Sequence, residues 1–242
     1  MNTPELRAST AKELQANAAK VAGFNSFIGF DGFVDEIFHL VDKRESVEKY
    51  QRLTTIAKYA ERLAAAAGKS TNVEMVSQMV KLGGNGPIMA NALASFGMKV
   101  CYLGNLGYPN LHPIFGDFAK RAEVHTIAQP GFTDAVEFED GKIMVGKLQY
   151  LADVTWPNIE ARYGRDKLAA KFGSASLVGF VNWTMLTYMS DIWETVQREI
   201  CPALKGPRRK MFFDLADPEK RTKEDIRRAL DLIVKFEQWF DV

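Results

Sequence analysis

Several things are scarce in these 242 residues: charge of one sign, cysteine, histidine and long apolar runs. Each scarcity removes a class of protein. Lys+Arg is 31 against Asp+Glu 30, a net charge of +1, so no basic excess supports nucleic-acid binding by bulk electrostatics. Two cysteines are too few for a disulfide scaffold, and Cys101 and Cys201 read as buried free thiols. The three histidines, His39, His112 and His125, are isolated and without metal-ligand spacing, so no metal site is expected. No apolar stretch approaches the roughly 20 residues of a membrane span. Met1–Gly23 carries scattered charges and no apolar core, so it does not read as a signal peptide, and a cytoplasmic location is expected. Gly-x-x-x-x-Gly-Lys-Ser/Thr and Gly-x-Ser-x-Gly are also missing, which removes P-loop and nucleophile-elbow chemistry. No Gly-x-Gly-x-x-Gly follows the first strand, which weakens a dinucleotide-binding oxidoreductase.

What is present is an ordinary globular balance, 47% hydrophobic and 25% charged. An Ala-rich helix is read over Pro4–Ala22, with Leu6, Leu14, Ala18 and Val21 on one face. Short apolar runs at 24–30, 98–104, 177–181 and 211–215 read as strands, and 54–67, 112–121, 191–200 and 222–236 as helices. Helices alternating with apolar strands predict a mostly parallel sheet covered on both faces. Three segments do not fit that core. Residues 33–41 and 73–82 alternate, and 134–149 contains Asp140-Gly141 between two apolar runs, the pattern of a tight hairpin. These are expected to form a smaller, separate sheet with Asp35 facing the cleft. The aromatic end, Trp239-Phe240, resembles the lead-in to a further strand, so the chain is expected to be cut short.

Three constellations can carry chemistry. Gly83-Gly84-Asn85-Gly86-Pro87 joins a strand to a helix; its glycines let backbone approach a ligand, and Asn85 can both donate and accept. Read blandly, it is a tight turn with a proline-started helix. The second is Gly29-Phe30-Asp31-Gly32-Phe33-Val34-Asp35-Glu36, which puts carboxylates at a strand's carboxyl end, where open α/β sheets bind ligands. Asp31 also reads as a plain turn former, whereas Asp35 interrupts an apolar run. The third is Phe212-Phe213-Asp214-Leu215-Ala216-Asp217-Pro218, again a strand end with acids, although Asp-Pro is a routine turn pair. Arg208, Arg209 and Lys210 read as a solvated lead-in to that strand.

These segments, in this order, resemble the ribokinase-like (PfkB) carbohydrate kinases. The match is clearest over Gly83–Gly97, GGNGPIMANALASFG, followed by a strand and Gly104-Asn105-Leu106-Gly107. The resemblance implies a Rossmann-like three-layer α/β/α core with a small β-sheet lid, as one ribokinase-like α/β domain over 1–242, truncated at the carboxyl end. It implies transfer of the γ-phosphate of ATP, with Mg2+, to a hydroxyl of a small-molecule sugar or nucleoside. The residues it places on the substrate are Asp35, Gly83, Gly84, Asn85 and Asp31. Family members commonly carry Asn where this chain has Ile88. The family's Gly-x-Gly-Asp motif, whose turn supplies an anion hole and whose Asp accepts the hydroxyl proton, is not found here. The catalytic Asp is therefore expected beyond Val242, and the chain as given is expected to be inactive. A non-catalytic sugar-binding or regulatory module of the same fold is the alternative. Pairing into a homodimer through exposed lid strands is also expected.

Overall fold

The structure is a computed structural model describing residues 3–242. Its main sheet has six parallel strands, in the order β11 (Phe240–Asp241), β10 (Arg209–Phe213), β9 (Leu177–Val181), β1 (Asn25–Phe30), β5 (Lys99–Gly104) and β6 (Glu123–Thr126). The central strands are apolar because parallel strands sandwiched between helices have no solvent face. Phe27, Ile28, Phe30, Tyr102, Leu103, Val178 and Phe180 are all fully buried.

One face of this sheet is covered by α5 (Trp156–Arg162), α6 (Arg165–Ser174), α7 (Met189–Glu199) and α8 (Lys223–Phe236), and the other by α3 (Asn85–Ser95) and the short α4 (Gly116–Ala119). Phe180 is the hub of the first side. Its ring lies 5.5 Å from that of Phe30, 5.8 Å from Phe172, 6.0 Å from Trp193 and 6.0 Å from Phe236. The fold is the mixed α/β architecture with a parallel sheet flanked by helices.

The second sheet has five strands. β2 (Phe33–Arg44) pairs antiparallel with β3 (Tyr50–Arg52) and β4 (Met75–Gly83) and parallel with β7 (Gly131–Glu137), which pairs with β8 (Lys142–Lys147). Period-two side-chain alternation gives this sheet two unlike faces. One carries Leu40, Leu53, Val136 and Phe138, packed by Ile56 and Tyr59 of α2 (Ile56–Ala65). The Asp140-Gly141 turn fixes that helix, because Asp140 Oδ1 accepts the Ile56 amide at 2.9 Å. The other face, with Asp35 and Thr133 in register, turns toward the carboxyl ends of the main sheet.

Several elements differ from the sequence reading. α1 (Pro4–Asn17) is shorter than the expected helix, continues as a 3-10 turn to Gly23, and buries none of its residues. The apolar face assigned to it is not used; Leu6 and Leu14 are exposed. β6 was not read because Glu-Val-His-Thr has no apolar run, as suits an edge strand. α5 and α6 were missed because Gly164, at φ +103°, interrupts them and leaves each only 7 and 10 residues long, too short for a clear period. Arg209 is buried, donating to the carbonyls of Gly173 and Lys205, so within the basic triplet it is a structural tie rather than a solvated residue. No described helix is long and apolar enough to cross a membrane.

Candidate active site

Between the two sheets lies a cleft of about 520 Å3. Its walls include Asp35 and Thr133 from the second sheet, Gly84 and Asn85 from the start of α3, and Asn182 and Asp217 from the ends of β9 and β10. This is the crevice at the carboxyl edge of an open parallel sheet, where such folds bind ligands.

Asp35 is half-buried, and that burial raises its carboxyl above the ordinary value, against the lowering effects of the Thr133 hydroxyl, Lys81 and Lys142. Gly83 makes room for it: a Cβ there would fall on the Asp35 carboxylate. Gly83 itself is buried and stands outside the cleft wall, acting behind Asp35. Gly84 has φ +94°, a left-handed conformation that favours glycine, and a Cβ there would sit 2.9 Å from Asp31 Oδ2.

Asp31 requires a correction. It does not line the cleft: it is fully buried, and its oxygens are taken. Oδ1 accepts the Gly86 amide at 2.8 Å and Oδ2 accepts Asn182 Nδ2 at 2.8 Å, while the Tyr102 hydroxyl donates to its backbone carbonyl. Burial pushes its carboxyl up to about 6, with the nearby Asp214 charge acting in the same direction. Asp31 ties the ends of β1 and β9 to the start of α3 and is a positioning residue.

Asp214 is a second such tie. Its Oδ2 accepts Asn85 Nδ2 at 2.7 Å and the Asn182 amide at 3.2 Å, and its Oδ1 accepts the Ala216 amide at 2.8 Å. It thereby aims Asn85 at the cleft. Asn182 is the residue that sequence reasoning missed. It has φ +66°, is 5% exposed, and its Oδ1 has no partner. A buried amide oxygen without a donor is costly, and this residue lines the cleft. Its only sequence signal was its place, one residue beyond an apolar strand.

Comparison with known proteins now bears on this cleft. A family profile described as prokaryotic ketohexokinase matches residues 4–242. The chain belongs to the prokaryotic ketohexokinase family. A curated ketohexokinase from Haloferax volcanii is 31% identical over 216 residues, which cover 88% of this chain and 57% of that protein. The chain thus spans a little over half the length of that relative. Among solved structures, a fructokinase from Xylella fastidiosa aligns with TM-score 0.53 at 13% identity, covering 86% of this chain and 59% of its own. A PfkB protein from Polaromonas sp. JS666 aligns with TM-score 0.52 at 14% identity, covering 87% and 62%. The fold is that of the PfkB, ribokinase-like carbohydrate kinases, and the family is one of sugar kinases.

The described residues do not fit a nucleotide triphosphate at this edge. Anions favour helix N-termini with free amides. At α3 the Gly86 amide is already taken by Asp31. α7 carries Asp191 in its first turn, paired with Arg228, and α8 carries Glu224 and Asp225, the latter paired with Arg221, so these cations are already engaged by carboxylates and not offered to a phosphate. Nor is a carboxylate pair arranged for Mg2+, since the Asp214 oxygens are hydrogen-bonded and Asp217 is paired with Lys220 at 2.7 Å.

Proposed function

We propose that these residues form the sugar-binding side of an ATP-dependent, Mg2+-requiring ketohexokinase, which transfers the γ-phosphate to a hydroxyl of a ketohexose. Residues outside the 242 supply the nucleotide pocket and the general base. The observation that carries the reading is a single cleft lined together by Asp35, Asn85, Thr133 and Asn182. A polyol meets that set: its hydroxyls donate to Asp35 and accept from the Asn85 Nδ2 hydrogen that Asp214 does not take. Thr133 and the Gly84 backbone complete the wall, while Asp31, Gly83 and Asp214 hold the contacting groups in place. Through its γ-phosphate ATP supplies the electrophile; this chain's residues bind the sugar, orient one hydroxyl toward the carboxyl edge and exclude water from it. The division of labour is supported by the poor fit of the described residues to a triphosphate and by the share of the ketohexokinase that the chain covers. The same reading pairs two copies through the exposed second sheet, where Met75, Met79 and Val80 on β4 lie open.

Calorimetric titration of the 242-residue chain with ketohexoses, aldohexoses and nucleosides, beside a coupled ADP assay with ATP and Mg2+, tests the proposal. The expected result is ketohexose binding with no sugar-dependent ADP release. ADP release would place the base inside these residues and overturn the division of labour. An absence of binding by every sugar would overturn the sugar site, and sugar binding that persists without turnover in a longer version of the chain would support a non-catalytic module instead.

A further inference from the structure

A second cluster lies on the other side of the molecule's chemistry, on the edge pair β5–β6. Strand pairing sets Cys101 beside Glu123 and Leu103 beside His125. Because residues two apart share a face, Cys101, Glu123 and His125 project together, although 22 residues separate Cys101 from Glu123 in the chain. No sequence spacing would reveal this set. One ligand-type atom from each lies within 4.8 Å of the other two. Glu123 Oε1 is 2.8 Å from His125 Nε2. An adjoining cleft of about 390 Å3 is lined in part by Cys101 and Glu123.

The geometry points to a divalent-metal site of the zinc type here, held by the Cys101 sulfur, one Glu123 oxygen and a His125 ring nitrogen. Thiolate, imidazole and carboxylate are the donors that zinc takes, at about 2.0–2.3 Å and in tetrahedral array. Ligand atoms in such an array stand about 3.3–3.8 Å apart, so the observed spacing needs only side-chain rotation. Three protein ligands leave a fourth position, which the adjoining cleft gives to water.

The adjoining cleft also carries Lys99, Arg121 and Lys171, so the ion is held by its ligand bonds and not by a surrounding negative field. Lys171 pairs with Oε2 of Glu123, the oxygen not facing the imidazole, and so orients the carboxylate from behind. The Tyr163 hydroxyl lies 3.8 Å from Cys101 Sγ, and its ring lies 4.8 Å from the His125 ring. Without metal, burial keeps the Cys101 group a thiol, pushed up to about 11. On binding, the S–H bond breaks, the sulfur–metal bond forms, and the proton leaves to solvent. Cys101 is 6% exposed, while Glu123 and His125 are open enough to admit the ion from the edge. The site joins an edge strand to the sheet interior, and its role is to pin β6, away from the carboxyl-edge cleft.

Cobalt replaces zinc as the probe because a thiolate–Co2+ bond gives a near-ultraviolet charge-transfer band. The full 242-residue chain, stripped with a chelator, is titrated with Co2+ and then back-titrated with Zn2+. The expected result is a one-to-one sulfur–cobalt band that Zn2+ removes. Cys101→Ser should abolish it, Cys201→Ser should leave it intact, and His125→Ala should weaken Co2+ affinity at least tenfold. His125 is partly exposed, so that variant should keep the far-ultraviolet circular dichroism of the parent. No band in the parent, a band retained in Cys101→Ser, or an unchanged affinity in a folded His125→Ala would each overturn the site.

Discussion

The two sheets of this molecule bury their strands very differently. β1, β5 and β9 expose only their first residue, if any, whereas β4 leaves six of its nine residues exposed and β8 five of its six. Within a few residues of chain the difference repeats in two aspartates. Asp31, just past β1, is sealed in the core and bonded on both oxygens; Asp35, in β2, stands half-open over a cleft. The main sheet is built for a fixed geometry, and the second sheet presents one polar face to that geometry. Recognition then depends on the less stable layer, and precision depends on the more stable one.

The sharpest way to break the comparison is to truncate one apolar side chain in each sheet. Phe180→Ala deletes a fully buried ring at the centre of the aromatic cluster. It should destabilise the chain by about 3–5 kcal/mol, read as a lowered urea midpoint. Val145→Ala on β8, whose side chain is 51% exposed, should cost no more than about 0.5 kcal/mol. Comparable losses at the two sites would mean that the second sheet is as integral to the core as the first.

Acid titration sharpens the contrast between the aspartates. Asp31 is raised from 3.8 to about 6 by burial, so the native chain holds a proton that the unfolded chain has released. Its contribution is fully present below about pH 3.8 and is lost as pH rises through 6. Stability should therefore fall as pH rises from about 3.8 through 6, by roughly 3 kcal/mol over the whole window, of which roughly 1.3 kcal/mol falls between pH 5 and 7. Burial raises Asp35 too, in the same direction. Exposed carboxylates held low by ion pairs, such as Glu137 beside Lys142 and Glu199 beside Arg198, act oppositely at lower pH, and His39, held below its ordinary value by burial and Arg52, acts oppositely within the same window. Urea unfolding at pH 5 and pH 7 should show the fall, and Asp31→Asn should flatten it. A slope left unchanged by Asp31→Asn would show that Asp31 is solvated.

The same contrast explains what could be read from the chain alone. Apolar runs such as Phe27-Ile28-Gly29-Phe30 announced the main sheet, since burial on both faces leaves no room for polar residues. Asp140-Gly141 announced the β7–β8 hairpin through its turn chemistry. Asp35 was legible because a carboxylate inside an apolar strand needs a reason. Asp31 reads in the sequence as a turn former or a substrate contact and not as buried, because its partners Gly86 and Asn182 lie 55 and 151 residues away. Asn182 itself had no signal beyond its place after β9: its left-handed backbone and orphaned oxygen exist only after β9, β10 and α3 meet. Edge strand β6 and the short helices α5 and α6 lacked the periodicity that longer or more buried elements show.

The smallest expected effects fall on the cleft, and they separate a contact from its support. Asp35→Ala should leave stability at pH 7 unchanged or slightly higher, because the half-buried carboxylate is held above its ordinary value by desolvation. Ketohexose affinity should fall by about 1.5–3 kcal/mol, the worth of one hydrogen bond to a charged group. Gly83→Ala keeps Asp35 but puts a methyl group where its carboxylate rests. The side chain must rotate away, because β2 and β4 are in unbroken register from Phe33–Gly83 to Ile37–Met79. Affinity should then drop by about 1 kcal/mol, roughly fivefold, with a modest loss of stability that Asp35→Ala lacks. In the double variant the methyl group meets no carboxylate, so the two binding losses should not add. Calorimetry on the four proteins reads this directly: additive losses would mean that Gly83 acts on the sugar by another route, and unchanged affinity in Asp35→Ala would remove that carboxylate from the sugar site.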